Sequence, residues 1–275
     1  MAILNGSIIG PINTPSLTAA AGVWGAEQQQ QYFGNALWPG SAAARGITGN
    51  GSLRSDPLSA NLQGAWPLNS SKTTSDLSGL GRNLSVSGSV GYPSISSPSS
   101  TVYTTGAGTF SNSNYFTLSS GTIDFKVANT NLTVEAWFWI NTSSTQTEFI
   151  ILNFYSSQSE GGFKVDVTNQ RISFSAYSGF NVQSSNGSIV KGVWYHVAYT
   201  RDTSNNHALY INGTQNGTAS SSSMGGGYSS NQIGFAQYGG GGQSWSEGYI
   251  QDLRVYNTVK YGGSFNINSV QSIVT

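Results

Sequence analysis

The sequence predicts an all-β protein, an antiparallel sandwich or jelly roll, preceded by a short N-terminal extension with one helix. Three observations predict it. Short stretches of alternating apolar and polar residues recur along the chain. Gly, Asn and Ser cluster between them. One central hairpin is spelled out in full. Val193, Tyr195, Val197 and Tyr199 alternate there with Trp194, His196, Ala198 and Thr200, the period-two pattern of a half-buried strand. A polar loop, Arg201 to Asn206, leads to a second strand with His207, Leu209 and Ile211 on one face. Asn212-Gly213 then suits a turn whose two central residues both need positive φ.

Taken in order, residues 1–60 read differently from the rest. Gly10-Pro11 and Thr14-Pro15 break regular structure early. The Ala- and Gln-rich stretch from Ala19 to Phe33 is the helical candidate, stopped by Gly34. Trp24 and Tyr32, eight apart, fall near one face of it. So short a helix is not stable alone, so Trp24, Tyr32, Phe33 and Trp38 are expected to form an assembly interface. Residues 40–60 are a small-residue linker. The expected organisation is a docking and oligomerisation segment with its linker over 1–60, a jelly roll over 61–260, and a tail over 261–275.

Within the jelly roll, strands are expected at Leu84–Val90, Tyr115–Leu118, Leu132–Ile140, Phe149–Asn153, Phe163–Val167 and Ile172–Tyr177. After the hairpin come Gln232–Ala236 and Tyr249–Tyr256. In that last strand the apolar phase slips by one between Ile250 and Leu253, which predicts a β-bulge near Asp252. Met224 to Gly248 reads mostly as a long Gly/Ser-rich loop region, the kind of segment that often carries function.

Composition narrows the function classes. The 275 residues are 37% hydrophobic and 12% aromatic, enough for a real core. Only 8% are charged, against about 25% in ordinary domains. The 11 basic residues balance 11 acidic ones and form no basic cluster. That argues against nucleic acid and anionic lipid as partners. A neutral surface of Ser, Thr, Asn, Gln and Gly suits permanent assembly or neutral hydrogen-bonding partners such as glycans. Cysteine is absent, so no disulfide or thiolate metal site contributes. Met1 to Gly6 lacks the basic start and long apolar core of a signal peptide. No run reaches the roughly 18 apolar residues of a membrane span, so membrane insertion is not expected.

Four segments carry a family resemblance. They are Trp66-Pro67-Leu68-Asn69 with Asp76-Leu77-Ser78-Gly79, and Leu132-Thr133-Val134-Glu135-Ala136-Trp137. The others are Trp194-Tyr195-His196-Val197-Ala198 with Leu209-Tyr210-Ile211-Asn212-Gly213, and Gly248 through Asn257. Together and in this order they resemble the laminin-G-like, concanavalin A-like jelly-roll family over roughly residues 61–260. The N-terminal stretch, Gly10 to Pro15 through Gly22-Val23-Trp24 to Trp38-Pro39, is similar to the start of many tailed-phage virion proteins, aquatic ones especially. That resemblance implies a non-enzymatic virion structural protein, a fibre, tail or neck appendage or capsid decoration, made in the host cytoplasm and displayed on the virion surface. Its partners would be copies of itself, for instance in a trimer, other virion proteins, and host-surface glycans. The alternatives are a glucanase-like enzyme, which the same fold also hosts, and a free carbohydrate-binding lectin module.

The residues weigh these readings. A retaining glycosidase needs two carboxylates about 5 Å apart, and the ExDxxE pattern of related glucanases does not occur. Glu135 does share a strand face with Trp137 and Trp139, and Trp194 and His196 belong to the same sheet face. This is either a sugar-stacking groove with an acid or, as favoured, an aromatic layer covered by loops or a partner chain, with Glu135 satisfied by Arg254 or backbone N–H groups. Tyr228, Tyr238 and Trp245 in the long loop, with Tyr177 and Phe180 after a strand, are the glycan-stacking candidates. The opposing reading is that these rings pin loops onto the sandwich. Asp202, Asn205 and Asn206 cluster oxygens as calcium prefers, yet only one is a carboxylate and all three are ordinary loop residues. No metal or other cofactor is therefore favoured.

Overall fold

The computed structural model describes residues 56, 58–70, 73–93, 107–111, 114–118, 123, 130–156, 159–176, 180–220, 230–237 and 243–267. Two antiparallel sheets face each other across an apolar core. The first, sheet A, is built from β1 (Leu62–Trp66), β3 (Gly108–Phe110), β5 (Leu132–Ile140), β10 (Trp194–Arg201), β11 (Asn206–Ile211), β12 (Thr214–Ser220) and β16 (Gly248–Tyr256). Its order is β1-β16-β5-β10-β11-β12, with β3 also paired to β16. The second, sheet B, runs β2 (Leu84–Ser87), β4 (Tyr115–Leu118), β13 (Ser230–Ile233), β6 (Glu148–Ser156), β7 (Ser159–Asp166), β8 (Arg171–Ala176) and β9 (Asn181–Gln183). A small two-stranded sheet joins β14 (Phe235–Gln237) to β15 (Gln243–Trp245). No helix among the described residues is long and apolar enough to cross a membrane.

Alternation along each strand decides what the core receives. Val134, Ala136 and Phe138 of β5, Tyr195, Val197 and Tyr199 of β10, and Ile250, Leu253 and Val255 of β16 point inward. They meet Phe154, Phe163, Val165, Ile172 and Phe174 of sheet B. Tyr199 lies flat on Phe174, centroids 3.6 Å apart, tying the two sheets together.

The expected hairpin is present, with Asn212 at φ 48° and Gly213 at φ 81°. The expected bulge is present too: Gln251 opposes Trp137 and Arg254 opposes Glu135, and Asp252 takes up the extra residue at φ 56°. The Met224–Gly248 region carries more strand than expected, namely β13, β14 and β15. Gly234 at φ 83° divides β13 from β14, so the expected strand Gln232–Ala236 is two strands. The β14–β15 unit sits on β6, where Ile150 donates its N–H to Ser246 Oγ at 2.7 Å and Ser246 Oγ donates to Ile150 O at 2.8 Å. The helix expected over Ala19–Phe33, and the docking segment as a whole, lie outside the described residues.

β5 is buried along its whole length except at Trp139. A strand in a two-layer sandwich should expose every second residue, so something covers sheet A from outside. That cover is the segment after β16, residues 257–267, which crosses the outer face as a strap. Thr133 Oγ1 donates to Thr258 O at 2.7 Å and accepts Lys260 N at 2.9 Å. Tyr210 Oη donates to Tyr261 O at 3.0 Å. Gln215 N donates to Ser264 Oγ at 3.0 Å, and Phe265 N to Gly213 O at 2.7 Å. The strap thus steps from β5 over β10 to the β11–β12 turn.

Candidate functional site

Chemistry on the outer face of sheet A begins with Glu135, because β5 alternation places it, Trp137 and Trp139 on that face. Glu135 is 1% exposed. Its Oε1 accepts Lys260 Nζ at 2.7 Å and shares, at 3.1 Å, the single Tyr256 Oη proton with Asp56, and its Oε2 accepts Tyr261 Oη at 2.5 Å. His196 Nε2 stands 3.4 Å from Oε2, a contact without hydrogen-bond geometry. The Arg254 guanidinium is 3.8 Å from Oε1 and makes a bidentate pair with Asp252 at 2.8 and 2.5 Å. Asp56 closes the cluster, accepting Tyr256 Oη at 2.6 Å and lying 3.4 Å from Arg254 and 3.5 Å from Lys260.

Burial by itself would raise the Glu135 pKa; Lys260, the neighbouring His196 and Arg254 outweigh it and hold the carboxyl well below its ordinary value. Burial and then the Glu135 charge push the Tyr261 and Tyr256 phenols up. Glu135 is therefore an ionised acceptor that keeps no proton to give. Glu135 and Asp56, both within reach of Tyr256 Oη and Lys260 Nζ, bring two carboxylates together as a glycosidase site would. Both are buried beneath the strap and paired with cations, and Glu135 is held ionised, so the pair lacks the protonated acid and the water access that such chemistry needs. The favoured reading, a covered aromatic layer with a satisfied Glu135, describes this face. Its partners are chiefly Lys260, Tyr256 and Tyr261 rather than Arg254 or backbone N–H groups. Asp56, Lys260 and Tyr261 carried no local sequence signal, since Glu135 meets Lys260 and Tyr261 across 125 and 126 residues.

The aromatic residues on this face divide. Trp137 and His196 meet edge-on at 5.2 Å beside the acid. Trp139 and Trp194 lie two residues, about 7 Å, further along the strands, where Trp139 and Tyr249 pack at 5.2 Å and Trp194 and Tyr249 at 6.4 Å. These three rings are half-buried, and exposed Val193 adjoins them.

Of the glycan-stacking candidates, Phe180 is corrected. It is 6% exposed, belongs to the core and packs on His207 at 4.3 Å, so it has no face to offer a sugar. Trp245 is half-buried, 4.3 Å from Phe235 and 5.8 Å from Tyr115, which anchors the β14–β15 unit to sheet B. Tyr177, Tyr228 and Tyr238 lie outside the described residues, as do the assembly candidates Trp24, Tyr32, Phe33 and Trp38. In the 202–206 turn, Asp202 Oδ1 accepts the Ser204 and Asn206 N–H groups at 2.8 and 2.9 Å, and Oδ2 accepts Asn206 Nδ2 at 2.9 Å. Those hydrogen bonds, the Asn206 side chain's first, hold the Asp202 carboxyl below its usual value. The Asp202 carboxylate, the one acidic group among the calcium candidates, thus accepts three N–H donors that fold the turn around Asn205 at φ 59°. Among the described residues no group of three or more acidic or imidazole side chains is arranged to hold a metal.

The same turn closes one end of an open groove that sequence reasoning did not anticipate. The groove encloses about 520 Å³ on the outer face of sheet A, between the strap and β12. Thr200, Ala208 and Thr218 stand in register across β10, β11 and β12 and form its floor. Val259, Tyr261 and Gly262 of the strap make one wall, and Gln215 and Ser220 belong to the other.

Comparison with known proteins agrees with this architecture. The model of the concanavalin A-like lectin/glucanases superfamily matches residues 110–261. None of the curated proteins matches the chain in sequence. Among solved structures, the binding domain of botulinum neurotoxin serotype C1 is similar at 14% identity and a TM-score of 0.58, over 78% of this chain and 53% of that one. The binding domain of botulinum neurotoxin DC, solved with rat synaptotagmin II, gives 14% and 0.56 over 74% and 50%. A botulinum neurotoxin type C structure, described by a cell entry that depends on two ganglioside molecules, gives 13% and 0.55 over 74% and 50%. The chain thus spans about half the length of these neighbours, and the likeness is one of fold. With two facing antiparallel sheets, a bulged closing strand and a family match over more than half its length, the chain belongs to the concanavalin A-like lectin/glucanase superfamily.

Proposed function

We propose that this chain is a non-enzymatic structural protein of a tailed-phage virion, which docks through residues 1–60 and displays its jelly roll outward as a glycan-binding adhesion module. The observation that carries the non-enzymatic part is the state of Glu135. It is the acid of the outer aromatic face, and it is ionised, buried and saturated with partners. Such a carboxylate stabilises a fold and transfers no proton. The low charge of the surface supports a neutral, hydroxyl-rich partner. The similarity of the N-terminal stretch to tailed-phage virion proteins supports the particle as its location. On this reading Trp24, Tyr32, Phe33 and Trp38 bury themselves between copies, as in a trimer, or against other virion proteins. No metal or cofactor enters the function.

Gold-labelled antibody against the jelly roll, applied to purified particles, is the direct test. Label on the particle surface supports the reading, and particles free of the protein end it. Incubation of the full chain with β-glucans supplies the second arm. Intact polymer agrees with a binding role, whereas cleavage abolished by Glu135→Gln would establish a hydrolase in its place.

A further inference from the structure

The groove between the strap and β12 shares Tyr261 with the Glu135 cluster but not its charges, and its form follows from the residues that make it. On the outer face of β11 the sequence places Ala208 between Asn206 and Tyr210. The β10 and β12 residues in register with Ala208 are both threonines. Small side chains on three adjacent strands leave a hollow, which the strap borders rather than fills. A volume of about 520 Å³ is that of a small-ligand site.

The lining is sorted by chemistry. Half-buried Val259 gives an apolar side, with the buried Tyr261 behind it. Thr218, Gln215 and Ser220, all exposed, give hydroxyl and amide groups on the other side. Asp202 and Asn206 stand at one end, and the Asp202 carboxylate is the one charged group among the described residues that line the groove. A sugar presents the complementary arrangement, apolar C–H faces bounded by hydroxyls that both donate and accept. With no Lys or Arg among the described residues that line it and a carboxylate at its end, the groove disfavours phosphate, sulfate and sialic acid groups.

We propose that this groove is a binding site for a neutral oligosaccharide, with a hydroxyl-bearing end of the glycan donating to Asp202 and its apolar C–H face lying along the half-buried Val259. The assignment rests on the adhesion reading above and names the ligand class and the residues for it.

The test uses the full chain on an array of neutral, sialylated and sulfated oligosaccharides, followed by titration calorimetry with the best neutral ligand. Ala208→Trp fills the floor without removing a hydrogen bond. Gln215→Ala and Thr218→Val remove single polar groups from exposed positions. Val86→Ala, exposed on β2 of the opposite sheet, is the control. The expected result is retention of neutral glycans, an affinity at least about tenfold lower for Ala208→Trp, a smaller loss for the other two groove variants, and no change for the control. Thermal unfolding confirms that each variant is folded; if Ala208→Trp is not, the two exposed-site variants decide. Undiminished glycan binding by the folded groove variants places the ligand elsewhere, which overturns the groove and leaves the adhesion reading standing. A preference for sialylated or sulfated glycans overturns the neutral class. Absence of every glycan from the wild-type chain, or capture of peptides alone, overturns both.

Discussion

Two neighbouring regions of one sheet face, the Glu135 cluster on β5, β10 and β16 and the Ala208 groove on β10, β11 and β12, have opposite character. At Glu135 the side chains are long, ionised and aromatic, and the strap lies directly on them. At Ala208 they are short and uncharged, and the strap passes alongside. Strand geometry is the same in both, so the difference comes from side-chain size and from the route of residues 257–267. A covered polar group must be fully paired, because desolvation otherwise costs more than the contact returns. Glu135 meets that demand with Lys260, Tyr256 and Tyr261. An uncovered region has no such demand, and the exposed side chains of Gln215, Thr218 and Ser220 face water there.

Variants that remove a covered charge should break this contrast most severely. Glu135→Ala takes from Lys260 its nearest carboxylate, leaves Asp56 alone to face both Lys260 and Arg254, and orphans the Tyr261 hydroxyl, and should lower stability by about 3–5 kcal/mol in denaturant unfolding. A loss below about 1 kcal/mol would show that the cluster is solvated. Acid should reproduce part of that loss. Because the native pKa of Glu135 is depressed, its contribution is complete above the ordinary value of 4.5 and disappears as pH falls through the depressed native value. Unfolding midpoints at pH 7 and pH 3 should therefore differ by less in Glu135→Ala than in the wild type.

Phe265→Ala ranks next. Its half-buried ring stacks on Tyr261 at 3.7 Å, and its loss should cost about 2 kcal/mol while loosening the strap. Faster hydrogen exchange at the Lys260 N–H, with exchange in sheet B unchanged, would localise the effect. Thr218→Val should have the smallest effect on the fold, within about 0.5 kcal/mol, and serves to sharpen the contrast. It separates a residue kept for stability from one kept for contact with a ligand.

How much of this was legible in the sequence depended on the range of the contacts. β4 and β5 fall on the expected residues because alternation over four to nine positions is a local signal. The Asn212-Gly213 turn and the Asp252 bulge were legible because each has its own backbone requirement, seen in the positive φ of Asn212, Gly213 and Asp252. β12 was missed because Thr214–Ser220 has no apolar alternation. It ends the path of sheet A and is buried on neither face. β3, β9 and β15 have three residues each, too few to show a period. The strap was invisible for another reason. Tyr261 and Phe265 look like tail residues until β5, β10 and β11 are assembled beneath them, and the groove beside them exists only as a consequence of their route.

The junction of the strap with the Asn212-Gly213 turn bears on the order of events in folding. Phe265 N donates to Gly213 O, and a Cβ at residue 213 would collide with the Phe265 carbonyl, so the turn must be formed and must be glycine there for the strap to lie flat. The other anchors, Thr133 on β5 and Tyr210 on β11, come from strands far apart in the chain. The strap's landing surface therefore comes into being only when sheet A has closed. Until then Tyr261 and Phe265 stay in water, and a nascent or damaged copy displays the two rings that a finished one has put away.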